Sequence, residues 1–245
     1  MSITVIKEAC EIISVELIEE VARRKAKGKV VGIGIYSDEY FFEKNGRNPM
    51  RKYKDREMLA RKIKDVDFVI KITPDIDNRM IEPEEVILEE NAIKDNKAKK
   101  YHVAYAPGTY DLFHEGHLEH LMEVREICDI LVVGVNSDDL VYSNKKKRTK
   151  LPQEERLKVV KNLKFVDYVY LVETNDKQVA NEWVKKEIGC GISAIFLGTD
   201  LRNQNFDDAA GIPILFTERD PELMKKRSST YYREQFEKLN NNCSS

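Results

Sequence analysis

A parallel-sheet α/β fold, written once in shortened form and once in full, is what this sequence predicts, on three observations. Residues 30–72 align without a gap on residues 130–172, and Gly34, Ser37, Asp38, Arg56, Lys64, Val66, Asp67 and Val69 match Gly134, Ser137, Asp138, Arg156, Lys164, Val166, Asp167 and Val169. The apolar runs Val30–Ile35 and Ile130–Val135 both read as buried strands. Each run is followed by Ser-Asp, and later by an Arg-containing helix ending in Val-Asp-x-Val. Strand, helix, strand in succession points to a parallel sheet.

In the first unit, residues 1–98, Ile3–Ile6 reads as a strand, Glu11–Lys27 as a helix and Val30–Ile35 as the next strand. The pattern stops short after Ile72, where Thr-Pro-Asp and then a charged stretch, Glu89–Lys100, read as a short helix plus linker. The second unit, residues 101–245, opens with the strand His102–Ala106. A helix follows over Gly116–Cys128, with Leu118, Leu121, Met122 and Ile127 close to 3.6-residue spacing. Then come the strand Ile130–Val135, a helix opening near Pro152, and the strand Tyr168–Val172. Lys177–Ile188 is a further helix, Ser193–Gly198 and Pro213–Thr217 are the last strands, and Thr230–Leu239 is a final helix with a frayed tail.

Charge and composition narrow the function. Lys and Arg number 41 against 43 Asp and Glu, so a net charge of −2 offers no global attraction to nucleic acid or an anionic membrane. Any phosphate binding must then be local. Cys10, Cys128, Cys190 and Cys243 are scattered, with no Cys-x-x-Cys pair, which speaks against a zinc site or a disulfide framework. Neither a signal-peptide pattern nor an apolar run of the ~18 residues a membrane helix needs is present. A cytoplasmic protein without integral membrane contact is the expectation.

Chemistry concentrates in Gly108-Thr-Tyr-Asp-Leu-Phe-His-Glu-Gly-His117, between the first strand and first helix of the second unit. That is the carboxyl edge of a parallel sheet, where open α/β folds bind ligands. Gly108 is expected to allow a sharp turn, and Gly116 to keep bulk away from a bound nucleotide. His114 and His117, three residues apart at the start of a helix, can lean toward one anion at its positive end. Nucleotidyl transfer asks little of a protein beyond positioning and cancelling charge on phosphate oxygens.

On these residues the second unit resembles the cytidylyltransferase family of the His-x-Gly-His nucleotidyltransferases, which includes glycerol-3-phosphate, phosphoethanolamine and phosphocholine cytidylyltransferases. The resemblance covers residues 101–235 and implies a Rossmann-like nucleotidyltransferase fold. It rests on the His-x-Gly-His turn, on the Lys-rich segment leading to Glu155-Arg156 and Val166-Asp167, and on Ser228-Ser-Thr230. It implies that His114 and His117 contact the nucleotide phosphates and stabilise the transition state, with Gly108, Thr109, Tyr110, Asp111 and Gly116 along the nucleotide. Lys145, Lys146 and Lys147 match a loop that closes over phosphates and acceptor, with Lys146 the best aligned. A lysine run of this kind is, by itself, most often a solvated loop. Arg156 matches a helix arginine that touches substrate phosphate; its alternative is a surface ion pair. Asp200 matches an element near base or acceptor, although Thr199 and Leu201 depart from the family pattern there. Ser228, Ser229 and Thr230 would hold the triphosphate at the start of the last helix. The family's arginine before them is replaced by Leu223, with Arg227 or Arg219 as substitutes.

The implied reaction is CTP-dependent transfer to a small phosphorylated alcohol with release of pyrophosphate, Mg²⁺ accompanying the triphosphate. Adenylyltransferases acting on heptose phosphate, phosphopantetheine or flavin mononucleotide share the turn and remain an alternative. A non-catalytic nucleotide-binding module is an alternative of another class. In the first unit, Glu11 and Ser14 are expected opposite His114 and His117, and Gly46 opposite Lys146, so no catalysis is expected there. Family members pair two such units, so an internal pseudo-dimer or a homo-oligomer is expected, with Trp183 a packing residue.

Overall fold

Two parallel sheets carry the molecule, one in each of two units, Met1–Asn96 and Lys97–Ser245. The computed structural model describes residues 2–77, 99–202, 211–218 and 229–242. The expected helix and linker over 89–100 lie outside the described residues except for Lys99 and Lys100.

The N-terminal unit runs β1 (Ile3–Glu8), α1 (Val15–Lys25), β2 (Val30–Tyr36), α2 (Asp38–Asn45), α3 (Tyr53–Arg61), β3 (Phe68–Ile72) and a short α4 (Pro74–Asp77). Its sheet order is β1-β2-β3, all parallel. The C-terminal unit runs β4 (Tyr101–Gly108), α5 (Glu115–Glu126), β5 (Cys128–Asn136), α6 (Asp138–Lys145), α7 (Gln153–Lys161), β6 (Tyr168–Val172) and α8 (Lys177–Ile188). It continues through β7 (Ala194–Gly198), a 3-10 turn (Thr199–Leu201), β8 (Ile214–Thr217) and α9 (Ser229–Asn242). Here the order is β6-β5-β4-β7-β8, again all parallel. The chain leaves β4 toward β5 and β6, then returns to the other side of β4 for β7 and β8. The carboxyl ends of β4 and β7 therefore flank a topological switch point, where ligands enter open sheets of this kind.

Apolar strands buried on both faces explain the core. Val103, Tyr105, Val132, Val172, Ile195 and Leu197 form one cluster with Leu140 of α6 and Val184 of α8. Trp183 packs on this cluster with its ring 4.9 Å from that of Tyr170, the packing role expected of it. The helices after β2 and β5 begin where Ser37 and Ser137 cap them, each hydroxyl accepting from a backbone N–H three residues on, Tyr40 and Leu140, at 3.1 and 3.2 Å. Both helices end on a left-handed residue, Gly46 (φ 66°) and Lys146 (φ 51°).

At an offset of 100 residues the two units share backbone detail. Ile3 pairs with Val30 as Val103 does with Ile130, and Gly32 with Phe68 as Val132 does with Tyr168. Asp67 and Asp167 each accept from a strand N–H, Val31 and Leu131, at 2.8 Å. One expected correspondence needs correction. Ser14 caps α1 as His114 caps α5, so Ser14 stands opposite His114 and Leu17 opposite His117, while Glu11 stands opposite Asp111. The helix also begins at Val15 rather than Glu11, because the residues before Ser14 form the turn.

Candidate active site

The turn between β4 and α5 is built by two left-handed residues, Tyr110 (φ 53°) and Leu112 (φ 47°). Gly108 itself is the last residue of β4 and does not adopt that conformation, so the expected sharp turn at Gly108 is displaced to these two. Gly108 is required for another reason: a Cβ there would stand 2.8 Å from the Tyr110 ring. That ring folds back along the strand and its hydroxyl donates to Ala106 O at 3.1 Å. Tyr110 is consequently a core residue at 2 % exposure, as is His114.

Leu112 and Phe113 are buried beside it and deliver the chain to His114, which caps α5. His114 Nδ1 accepts from Gly116 N–H at 3.1 Å, so Nδ1 carries no proton and Nε2 is the N–H donor in the neutral ring. His117 stacks on His114 with ring centroids 3.8 Å apart and 27° between planes. The rings of Tyr110 at 5.2 Å and Phe113 at 5.5 Å frame His117. Both imidazoles stand in the first turn of α5, where the helix presents its positive end. One turn further on, buried His120 lies 2.7 Å from Thr217 Oγ1 and ties α5 to β8.

Beside the turn opens a cleft of about 390 Å³ lined by Thr109, Asp111, Val141, Lys145, Lys147, Thr230 and Arg233. Lys145 Nζ donates to Thr109 Oγ1 at 3.3 Å, bringing the lysine segment to the turn. Lys146, expected to be the principal lysine, is instead the exposed left-handed cap of α6 and is not among the lining residues. The reversal of the chain at that cap places Lys145 and Lys147, not Lys146, on the cleft wall.

Two further expectations change. Arg156 is fully buried and donates to Leu151 O (3.1 Å), Thr109 O (2.6 Å) and Asp138 Oδ1 (2.6 Å). It joins the turn to the entries of α6 and α7 from the interior, so the surface ion pair is not what it forms. Arg56 does the same in the N-terminal unit, toward Arg51 O, Ala9 O and Asp38. Asp111 has no exposed side-chain surface; it accepts from Lys150 N (2.9 Å), Leu151 N (3.0 Å) and Arg233 Nη2 (2.5 Å). It anchors the lysine segment instead of lying along a nucleotide.

Three other residues complete the surroundings of the turn. Arg233 enters from α9; Tyr232, beside it, donates to buried Glu115 and packs 5.4 Å from the His114 ring. An arginine and a tyrosine three and two residues after Thr230 were the available signal. Thr230 is exposed on the cleft, and Gly116 is buried in the first turn of α5. Asp200 lies in the 3-10 turn after β7, at the switch point, and Ser229 begins α9; nothing is described of their side chains. Arg227 and Ser228, with Arg219 and Leu223, lie outside the described residues.

His114, 2 % exposed, and His117 start α5 three and six residues after Asp111 of the cleft wall and do not themselves line the cleft; these residue types, at a sheet's switch point, are those of a nucleotidyltransferase-like site. The Cytidylyltransferase-like family matches residues 105–235, over half the chain, and the chain belongs to that family. FAD synthase of Methanosphaerula palustris is 39% identical over 104 residues, 42% of this chain and 61% of that protein. Bifunctional protein HldE of Pelobacter propionicus is 35% identical over 82 residues, 33% of this chain and 17% of that protein. The chain thus spans 61% of one of these relatives and only 17% of the other. A solved structure, a lipopolysaccharide core biosynthesis protein from Thermoplasma volcanium, is 27% identical, with 49% of this chain and 99% of that one covered and a TM-score of 0.40. Among the described residues no helix is long and apolar enough to cross a membrane.

Proposed function

We propose that the C-terminal unit transfers a nucleotidyl group from a nucleoside triphosphate to the phosphate of a small acceptor. An acceptor phosphate oxygen attacks the α-phosphorus in line, the bond from the α-phosphorus to the bridging oxygen breaks, and pyrophosphate leaves with that oxygen. The observation carrying this reading is the stacked His114–His117 pair at the start of α5, next to a cleft walled by Lys145, Lys147 and Arg233. His114 Nε2–H and His117 would donate to phosphate oxygens as charge builds on them, and the three cations would hold the departing phosphates. Among the described residues no group of three His, Cys, Asp or Glu gathers as metal ligands, and Asp111 in the cleft is bonded to Arg233. Mg²⁺, in this reading, accompanies the triphosphate substrate.

For the donor we favour ATP. The supporting observation is the 39% identity to a protein named FAD synthase, whose product is an adenylylated flavin phosphate. CTP is the second reading, supported by the resemblance of the His turn and Ser-Ser-Thr segment to cytidylyltransferases. Pyrophosphate release should be measured with ATP and CTP, each against flavin mononucleotide, sugar phosphates, phosphopantetheine, glycerol 3-phosphate, phosphoethanolamine and phosphocholine. Release with any pair establishes transfer and names donor and acceptor; none across the panel rejects the reading in favour of a binding module. We also infer that the N-terminal unit is a shortened, non-catalytic copy, because it keeps the Arg56–Asp38 framework but has Ser14 and Leu17 where the histidines stand.

A further inference from the structure

The acid inside the histidine motif bonds to an element far from the turn. Glu115 follows the cap His114 in the first turn of α5 and is 1% exposed. It accepts from the hydroxyl of Tyr232, itself 3% exposed. The Tyr232 ring lies 5.4 Å from the His114 ring with 41° between planes, and the His117 ring stacks on His114 at 3.8 Å. His114 thus has one ring neighbour from its own helix and one from α9. Thr230 and Arg233 line the cleft from the start of α9, while Tyr232, between them, is bonded to α5.

The N-terminal unit forms the same helix start without this pair. Ser14 caps α1 where His114 caps α5, and Val15 stands where Glu115 does. Cap and helix therefore need no acid at that position. A buried carboxylate is destabilising unless it is bonded, a need met here by the positive end of α5 and the Tyr232 hydroxyl. The framework does not require this acid, and it sits beside the histidine that the other unit lacks. What it holds explains it: the Tyr232 ring against His114.

We propose that Tyr232 is a positioning residue for His114. Its hydroxyl, anchored on Glu115, keeps the ring against the imidazole, so that Nδ1 stays on the Gly116 amide and Nε2–H remains the donor. The proposal rests on the nucleotidyl-transfer reading, but its first readout needs no turnover. In the full chain carrying isotope-labelled histidine, nuclear magnetic resonance of the ring nitrogens reports the tautomer, and His114→Asn identifies the His114 signals. Wild type should show the Nε2–H tautomer alone, and Tyr232→Phe and Tyr232→Leu should show a mixture of tautomers. Glu115→Gln keeps an acceptor for the hydroxyl and should keep the wild-type pattern. With the donor and acceptor that release pyrophosphate, kcat should fall at least about ten-fold in both Tyr232 variants, with KM within about two-fold. Glu115→Gln should stay within several-fold of wild type. A purely structural role would lower thermal stability and move neither the tautomer nor kcat. Unchanged His114 signals or unchanged kcat in both Tyr232 variants, or Glu115→Gln behaving as Tyr232→Phe does, overturns the proposal. A higher kcat in Tyr232→Phe overturns it too, since the phenol would then be a stopper on His114. If the His114 signals depend on Tyr232 yet wild type turns over no nucleotide, the positioning assignment stands and the transfer reading alone fails.

Discussion

His114 and His117 stack, but they are held by different forces and should respond differently to substitution. His114 is both helix cap and donor: Nδ1 is committed to the Gly116 amide and Nε2–H is directed away from it. Asn in its place can still cap α5 but has no donor at the Nε2 position. His114→Asn should therefore melt close to wild type while pyrophosphate release falls on the order of 10²–10³-fold, the loss typical of one oxyanion donor. His117→Ala should lose a similar factor; near wild-type turnover in either would remove the pair from the site. Arg156 acts on stability instead. Burial pushes the Asp138 carboxyl up, but bonds from Arg156, Thr149 and the Gln153 amide together outweigh this and hold it below its ordinary value of 3.8. A carboxyl depressed in the folded state stabilises fully above its unfolded pKa and loses that contribution as pH falls through the folded one. Asp138→Asn should accordingly be less stable than wild type at pH 7, with the gap closing below about pH 4, as followed by urea unfolding.

At the level of elements, legibility divided by the range of the interactions involved. Apolar runs marked every described strand except β3, and β6 and α8 were placed to the residue, since burial and capping are written locally. The eight-residue helices α2 and α6 escaped because each is too short to show a periodic apolar face, and only the Ser-Asp caps announced them. The histidine turn was legible as a motif, whereas the work of Asp111 and Arg156 was not. Asp111 meets Arg233 across 122 positions, and two of the three Arg156 acceptors are backbone carbonyls, which no residue type advertises. Local geometry also links β4 to the site. Gly108→Ala would drive a methyl group into the Tyr110 ring, which frames His117. The expected outcome is a folded protein with unchanged far-ultraviolet circular dichroism and at least ten-fold lower turnover, since small misplacements of catalytic groups act on that scale. Unchanged turnover would show that the Tyr110 frame does not set the position of His117.

Across the whole molecule the two units share a framework and differ at the edge where the framework meets solvent. Arg56 and Arg156 make equivalent bonds to a carbonyl before the α-helical stretch, a carbonyl of the turn and an aspartate at a helix entry. These bonds hold the carboxyl edge of each sheet in the same shape. What fills that edge is different. In the C-terminal unit the stacked histidines and the cations Lys145, Lys147 and Arg233 stand there. In the N-terminal unit the corresponding residues are Ser14, Leu17, Asn45 and Arg47, and Arg47 is already paired with Glu11 at 2.5 Å. Further along the same edge Asp77 draws Lys7 and Lys44 to itself at 2.8 Å each, and these lysines with Tyr40 hold its carboxyl far below the usual range. With Ser14, Leu17 and Asn45 in place of two histidines and a lysine, this edge presents a polyphosphate with fewer donors than the C-terminal one. Titration of the full chain with the preferred triphosphate should therefore give one site per chain, and His114→Asn should leave that stoichiometry at one while turnover collapses. Two sites of comparable affinity, or a site that survives Arg233→Gln and Lys147→Gln but is lost on Arg47→Gln, would place nucleotide binding in the N-terminal unit and reverse the assignment of the two sheets.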